Sequence, residues 1–320
     1  MYIIDDDYKF KTLAIVGNGF DLNHGYHTSF FDFVQNTKHS SLDDFKNLCA
    51  DINTIKTWYN FEENINKLSR KLFELRIIDG DYDIGTTIYK TFNDIHSLLI
   101  EYLKKETSSK KLIKKQSLEQ YLDTETITFN FNYTNTVEAY TKKVIYMHGS
   151  LEENDIILGY DYRDEPCLAD FNEMRWSKIF CRQSLAFRRI LRQRMGLKTD
   201  SKKYKSLMTG LESYLTISHS AKGICDSDIA NINDGKLITK LINEIEIHPI
   251  PNICYDSINT IVILGHGIEA DKLLLKNIIS SCNNLKEIII FHYDGESADS
   301  IEMKKAFFLE YCSKIKTIQY

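Results

Sequence analysis

Glycine and polar residues that could bind a ligand and act on it fall into four short motifs. The motifs are GNGFDLNHG at 17–25, FNFNYTN at 129–135, MHGSL at 147–151 with GYD at 159–161, and LGHGIEAD at 264–271. Glycines let a ligand approach the backbone, a carboxamide can fix a sugar hydroxyl or a water molecule, and histidine exchanges protons near neutral pH. These residue types together suggest a nucleotide site.

The first motif is ambiguous when it is read alone. Residues 12–16 are a β-branched apolar run with the length of a buried strand, and Gly17, Gly19 and Gly25 follow it. The third glycine comes six residues after the second, which is not the spacing of the dinucleotide fingerprint G-x-G-x-x-G. A nucleotide-binding loop and a plain turn from strand to helix both stay open at this point.

The elements around the motifs predict a doubly wound, Rossmann-like α/β sheet. Strands alternate with helices, and several strands end in polar residues or glycine, which places a ligand at the carboxyl edge of the sheet. Residues 28–120 have helical spacing and no clear strand, so we interpret them as a helical insertion into a single domain 1–320. The predicted strands lie at 12–16, 126–131, 144–147, 156–158, 260–267, 286–292 and, at the edge, 314–320.

Composition limits the class of protein. The 320 residues, 43% of them hydrophobic, can form one large domain or a domain with a sizeable insertion. The N-terminus is acidic and no apolar run approaches the roughly 18 residues of a membrane span, so we expect a cytoplasmic protein with no membrane contact. Seven cysteines include no C-x-x-C pair, which favours reduced thiols, several of them in the core, over a disulfide framework or a cysteine zinc site.

A second insertion is predicted at 163–250, and it is basic and mostly helical. Between Met174 and Lys205 there are eleven Lys or Arg residues and one acid, Asp200. Apolar residues share one face of a predicted helix here, while the charges lie largely opposite. One interpretation is a core-packed helix with a solvated face, and the other is a surface for a partner or for nucleic acid, through Arg188, Arg189 and Arg192.

Together, the four motifs resemble the signature of the AbiH family of bacterial abortive-infection proteins. The family pattern is similar to GNGFDL-x-x-G-x-x-T, then FNYT, then HG about fifteen residues later and a late GH-x-x-x-x-D, and Thr28 completes the first motif here. AbiH proteins in turn look like distant relatives of sirtuins, whose fold surrounds NAD. The resemblance implies a sirtuin-related fold and an antiphage effector that hydrolyses the N-glycosidic bond of NAD or a related nucleotide.

The resemblance also implies roles for individual residues. Asn132 would lie beside the scissile bond, and His148 would be the acid/base or polarising group, which suits a reaction that develops positive charge on the sugar. Asn130 and Asn135 compete with Asn132, and a helix-capping role is open for either. The phosphates and the nicotinamide ribose would be bound by the first motif, and the adenosine end by the last. The implied binding residues are Gly17, Asn18, Gly19, Phe20, Asp21, Gly25, Thr28, Tyr133, Thr134, Gly149, Asp161, Gly265, His266 and Asp271.

Other features restrict the chemistry. Gly267 stands where the related pattern commonly has serine, so a hydroxyl donor is missing, and no cysteine pair matches the zinc ribbon of protein-deacetylating sirtuins. We expect neither deacetylation nor a metal, and we expect His24 and His27 to lie at the surface or to contact phosphate.

NAD would be a substrate or ligand and not a resident cofactor. A phage-derived trigger and a homo-oligomer are further expected partners. The alternative function is a non-catalytic sensor module that binds a nucleotide or nucleic acid.

Overall fold

The structure is a computed structural model of the chain, and two compact units make it up. The first unit comprises Met1–Phe61, Ile88–Ile156 and Asn252–Tyr320, and the second comprises Glu62–Thr87 and Ile157–Pro251. The residues that the structure describes are 9–48, 61, 64, 82–152, 155–158, 187–188, 191, 195–218, 224–247, 253–293 and 296–320.

A six-stranded, wholly parallel sheet forms the centre of the first unit. The strand order is β3-β2-β1-β6-β7-β8, the order 3-2-1-4-5-6 of dinucleotide-binding folds once the small hairpin β4-β5 is left out. The predicted α/β class with a parallel, Rossmann-like sheet is therefore confirmed. The strands are β1 (Thr12–Val16), β2 (Thr126–Asn130), β3 (Val144–Tyr146), β4 (Gly149–Ser150), β5 (Asp155–Ile156), β6 (Thr260–Leu264), β7 (Glu287–His292) and β8 (Ile315–Gln319).

The register aligns the carboxyl ends of the four strands that precede the motifs. Val16 lies opposite both Asn130 and Leu264, and Asn130 lies opposite Tyr146. Strands β1 and β2 are buried on both faces, although β2 (TITFN) alternates threonine with apolar residues and only β1 is apolar after its first residue. All four motifs therefore lie side by side at the carboxyl edge of the sheet.

Helices connect these strands, and those of the predicted insertion 28–120 are among them. The described parts of 28–120 contain helices and no strand, and much of 62–81 lies outside the described residues. Ser29 begins one helix with a capping box, since its hydroxyl accepts from the Asp32 amide and the Asp32 carboxylate accepts from the Ser29 amide. The α-helices of the described first unit are Asn18–Asn23, Phe30–Asn36, Ser40–Leu48, Tyr82–Ser109 (which begins in the second unit), Gln116–Glu119, Lys272–Ser280 and Ala298–Leu309.

One predicted strand does not join the main sheet. The segment predicted at 156–158 forms β5, which pairs antiparallel with β4 in a two-stranded hairpin. Gly149 has a φ of 77°, a left-handed conformation that favours glycine, and the chain turns there directly after His148. The hairpin therefore replaces a fourth successive parallel strand.

The second unit has its own helical core. Its described helices are Lys202–Ser218, Asp226–Asn231 and Gly235–Ile247. Phe187 and Leu191, which the sequence places on the apolar face of the basic segment, are fully buried in this core. Arg189, Arg192 and most of 163–194 lie outside the described residues, as does Asp161.

Two further expectations concern thiols and membranes. Cys225, Cys254, Cys282 and Cys312 are free thiols, and the last two are buried; the other three cysteines lie outside the described residues. No helix in the described part of the chain is long and apolar enough to cross a membrane.

Candidate functional site

The loops that follow β1 and β6 pack backbone against backbone at the switch point of the sheet. Gly17 donates its amide to Leu264 O at 3.0 Å, and Gly19 donates to Gly265 O at 2.8 Å. A Cβ on Gly17 would lie 2.5 Å from His266 Cα, and one on Gly265, whose φ is 64°, would lie 2.3 Å from the Phe20 amide nitrogen. These glycines are therefore required by the contact between the two loops, whatever else they bind.

Two histidines share one carboxylate beside these loops. His148 Nε2 lies 3.2 Å from Asp271 Oδ1 and 3.3 Å from Oδ2, and His266 Nε2 lies 3.5 Å from Oδ2. The side chains are 4–5% exposed, and the ring of Phe131 meets both imidazoles edge to face, at 5.4 Å from His148 and 4.4 Å from His266. The protein therefore holds a buried carboxylate–histidine group at the carboxyl edge of the sheet.

The position of Asp271 points to a role other than capping. Asp271 is the N-cap residue of the helix Lys272–Ser280, where aspartate commonly accepts a hydrogen bond from the first helical amides. Its side chain makes no such bond and faces the two histidines instead. A buried carboxyl group that makes no cap bond, which is commonly worth about 1 kcal/mol, and lies beside two imidazoles instead is well placed to orient them.

The loop after β2 separates the competing asparagines. Asn130 donates to Thr134 O at 2.9 Å and accepts from the Asn132 amide at 3.0 Å, so it shapes the turn. Asn135 donates to Glu152 at 2.9 Å at the surface. Asn132 is buried and donates Nδ2 to Gly17 O at 2.9 Å, which places its carboxamide against the glycine loop. Among the three, Asn132 has the position that suits a ligand.

Asp21 joins the first helix to the same loop. Its Oδ2 accepts from Thr134 Oγ1 at 2.6 Å, while its Oδ1 is buried with no hydrogen-bond partner among the described residues. Burial raises the pKa of the Asp21 carboxyl from 3.8 to about 6, and hydrogen bonds from Thr134 and Thr136 lower it in part. Hydrogen bonds thus run without a break from Asp21 through Thr134, Asn130 and Asn132 to Gly17, and this chain of bonds fixes Asn132.

The raised pKa of Asp21 predicts a pH-dependent stability. The carboxyl binds its proton more tightly in the folded chain, so this contribution to stability is complete below about pH 4 and is lost as the pH rises through about 6, by roughly 3 kcal/mol. In Asp21→Asn the side chain stays neutral at every pH. The free energy of unfolding of this variant, measured with urea across the same pH range, should therefore lack the decrease between about pH 4 and 6. The exposed Asp200→Asn should retain it. Equal pH dependence in Asp21→Asn and the unsubstituted protein would contradict the assignment.

The remaining predicted residues divide between the loops and the core. Thr28 donates to the Asn18 side chain at 2.7 Å, which holds the end of the first motif against its beginning. Gly25 has a φ of 81°, and the position that an added Cβ would take is open. Tyr133 accepts the Leu151 amide at its carbonyl, which joins the loop after β2 to β4.

Phe20 and His24 have packing roles. The Phe20 ring is fully buried in the core on one face of the sheet, so only its backbone can face a ligand. His24 is half-buried and engages both ring nitrogens, with Phe20 O and the Tyr140 hydroxyl, each at 2.7 Å. The expected position of His24 at the surface or on phosphate is therefore wrong. Burial lowers its pKa, although the bond to Phe20 O opposes this.

Across the described ranges, no three His, Cys, Asp or Glu side chains are arranged to hold a metal ion.

A comparison with protein families shows which family this chain belongs to. Residues 13–293 match the family described as Bacteriophage abortive infection AbiH. The chain belongs to the AbiH family. The match includes all four motifs, and membership assigns this AbiH protein to abortive infection by bacteriophage. Neither curated proteins nor solved structures gave a match, so the relation of AbiH proteins to sirtuins stays a prediction.

The sequence does not reveal that two of the AbiH motifs share a carboxylate. Sequence reasoning assigns Asp271 to the adenosine end and His148 to catalysis, yet the two side chains are in contact. The strands that precede them, β3 and β6, are three positions apart in the sheet, or about 14 Å at the usual strand spacing. The only available signal is the five-residue spacing of His266 and Asp271 across a loop that could fold over the sheet edge.

Proposed function

We propose that this AbiH protein is an antiphage effector that binds NAD, or a related nucleotide, and hydrolyses the N-glycosidic bond to nicotinamide. The observation that carries the proposal is the buried contact of His148 with Asp271 at the switch point of a Rossmann-like sheet. Ligands of open α/β sheets bind at that place, and a histidine with a carboxylate partner is an established arrangement for proton transfer. Asn132, held on the glycine loop beside β1, adds a carboxamide.

The chemistry assigns each group a task. The bond between ribose C1′ and the nicotinamide nitrogen breaks, and its electron pair neutralises the positive nicotinamide ring. A water oxygen then bonds to C1′, and the water proton passes to His148. Asp271 stabilises the imidazolium that results, as a buried counter-charge should. The products are nicotinamide, ADP-ribose and one proton.

Asn132 would act on the sugar. Its Nδ2 is committed to Gly17 O, so the carbonyl oxygen Oδ1 is the end that can accept a hydrogen bond from a ribose hydroxyl or from the attacking water. Because the chain of hydrogen bonds from Asp21 to Gly17 fixes this side chain, little entropy would be lost when the substrate is oriented.

Incubation of the purified protein with NAD tests the proposal. We expect nicotinamide and ADP-ribose, separated by chromatography, to form with the unsubstituted protein. His148→Ala and Asn132→Ala should each lower the rate by about a hundredfold or more. His292→Ala is the matched control, because His292 also ends a strand of this sheet but lies outside the four motifs. Equal rates in all four proteins would refute the assignment of the site.

A further inference from the structure

A lysine-rich segment, 104–115, lies outside the proposed catalytic chemistry. It contains six lysines and one acid, Glu106, in a chain whose net charge is -5. It begins in the last turns of the helix Tyr82–Ser109 and continues past the helix end. We call it the 104–115 surface; five of its lysines are exposed, and the sixth, Lys115, is half-buried.

Most of these charges are not neutralised by the protein. Lys110 pairs with Glu106 at 2.6 Å. Among the described residues, no carboxylate lies within ion-pair distance of Lys105, Lys111, Lys114 or Lys115. The negative end of the helix dipole can account for lysines in its last turns, but the effect falls off within one turn. Helix stabilisation therefore does not explain the lysines beyond the helix end.

The segment is held in place on the surface of the first unit. Lys110 Nζ donates to Gly25 O at 2.8 Å, the Lys115 amide donates to the Tyr140 hydroxyl at 2.6 Å, and Lys115 Nζ donates to Asn23 Oδ1 at 2.7 Å. Both ends of the non-helical part are thus anchored. Lysines on an anchored backbone lose less conformational entropy on binding a polyanion than those of a free tail do.

The composition of the surface selects the class of polyanion. The segment has no aromatic residue, so it cannot stack unpaired bases as single-strand-binding proteins do. Ile113 is 80% exposed, but one aliphatic side chain is far short of the apolar face with which helices bind lipid. The densely spaced phosphates of a duplex are the polyanion that suits this cluster of exposed lysines best.

We propose that the 104–115 surface binds the phosphate backbone of duplex nucleic acid without sequence specificity. This role goes beyond NAD cleavage and uses a surface different from the segment of Arg188, Arg189 and Arg192. Lysine contacts of this kind carry no sequence information and weaken with salt, because bound cations are released from the nucleic acid.

Fluorescence anisotropy with a labelled mixed-sequence DNA duplex tests the proposal. The unsubstituted protein should bind at low salt, with an affinity that falls steeply as salt is added. Reversal of Lys105, Lys111 and Lys114 to glutamate should weaken binding at least tenfold and reduce the salt slope by about one per lysine. A matched control reverses three exposed lysines of the second unit, Lys198, Lys202 and Lys205.

The outcomes separate the proposal from its rivals. Binding that is lost only in the 105/111/114 variant, with unchanged circular dichroism and thermal unfolding, supports it. No duplex binding by the unsubstituted protein overturns it, as does equal loss in both triple variants. Tighter binding to the single strand, or binding only to phosphatidylserine vesicles, would also overturn it. NAD cleavage should be the same in both triple variants, so failure of the proposed enzymatic function would be seen separately.

Discussion

Replacement of Asp271 by asparagine is expected to lower the rate of NAD cleavage by about a hundredfold or more. Asp271 is the one carboxylate that contacts both His148 and His266 in the part of the chain that the structure describes. Asparagine keeps the shape of the side chain but removes the negative charge that would stabilise a protonated His148. Because Asp271 acts through His148, the substitution should lower kcat with a much smaller change in KM.

Two comparisons make this prediction specific. Asp299→Asn removes an exposed carboxylate and should leave kcat unchanged. Thermal unfolding of Asp271→Asn shows whether the fold persists, since the loss of a buried charge partner also affects stability. A folded Asp271→Asn protein that cleaves NAD at the original rate would show that the carboxylate has no part in the reaction.

Gly265→Ala should be strongly destabilising, and more so than the same substitution at Gly25 or Gly267. Its φ of 64° disfavours any residue with a side chain, and the added Cβ would lie 2.3 Å from the Phe20 amide nitrogen and 2.4 Å from the Gly19 carbonyl carbon. These neighbours are backbone atoms and cannot move aside by changing rotamer. We expect a loss of about 3 kcal/mol or more in the free energy of unfolding, from strain and overpacking together, measured by urea denaturation.

Alanine substitutions at two other glycines distinguish backbone strain from steric overlap. At Gly25 the φ is 81° but no atom lies within 4 Å of the position that an added Cβ would take, so Gly25→Ala should cost only the strain, about 1 kcal/mol. A Cβ at Gly267 would meet only Glu269 Oε2 at 3.5 Å, so Gly267→Ala should be nearly neutral. Equal losses at all three positions would contradict the loop contact as the reason for Gly265.

Most of the sheet follows from local sequence patterns. Residues 13–16 and 288–291 are apolar without interruption, and such runs are typical of parallel strands covered on both faces. The segment at 156–158 has the same composition but is too short to determine its own partner. Its pairing depends on the turn at Gly149, a tertiary feature that hydrophobic pattern does not encode.

The candidate site is predictable in its residues but not in its contacts. Glycine, asparagine and histidine at strand ends indicate which residues converge on one edge. The resemblance to AbiH proteins implies glycines that bind a ligand, whereas Gly17 and Gly19 are in contact with the loop after β6. That distinction depends on distances between segments about 250 residues apart in sequence, and a single sequence does not give them.

The content of NAD in infected cells tests the central claim most directly, because infection supplies any trigger that the purified protein lacks. Cells that express the unsubstituted protein should lose NAD after phage infection and accumulate nicotinamide and ADP-ribose, measured by chromatography and mass spectrometry. Cells that express His148→Ala, at equal protein levels, should keep their NAD and lose protection from the phage. Protection with unchanged NAD, or equal depletion in both strains, would contradict the claim that this site cleaves NAD.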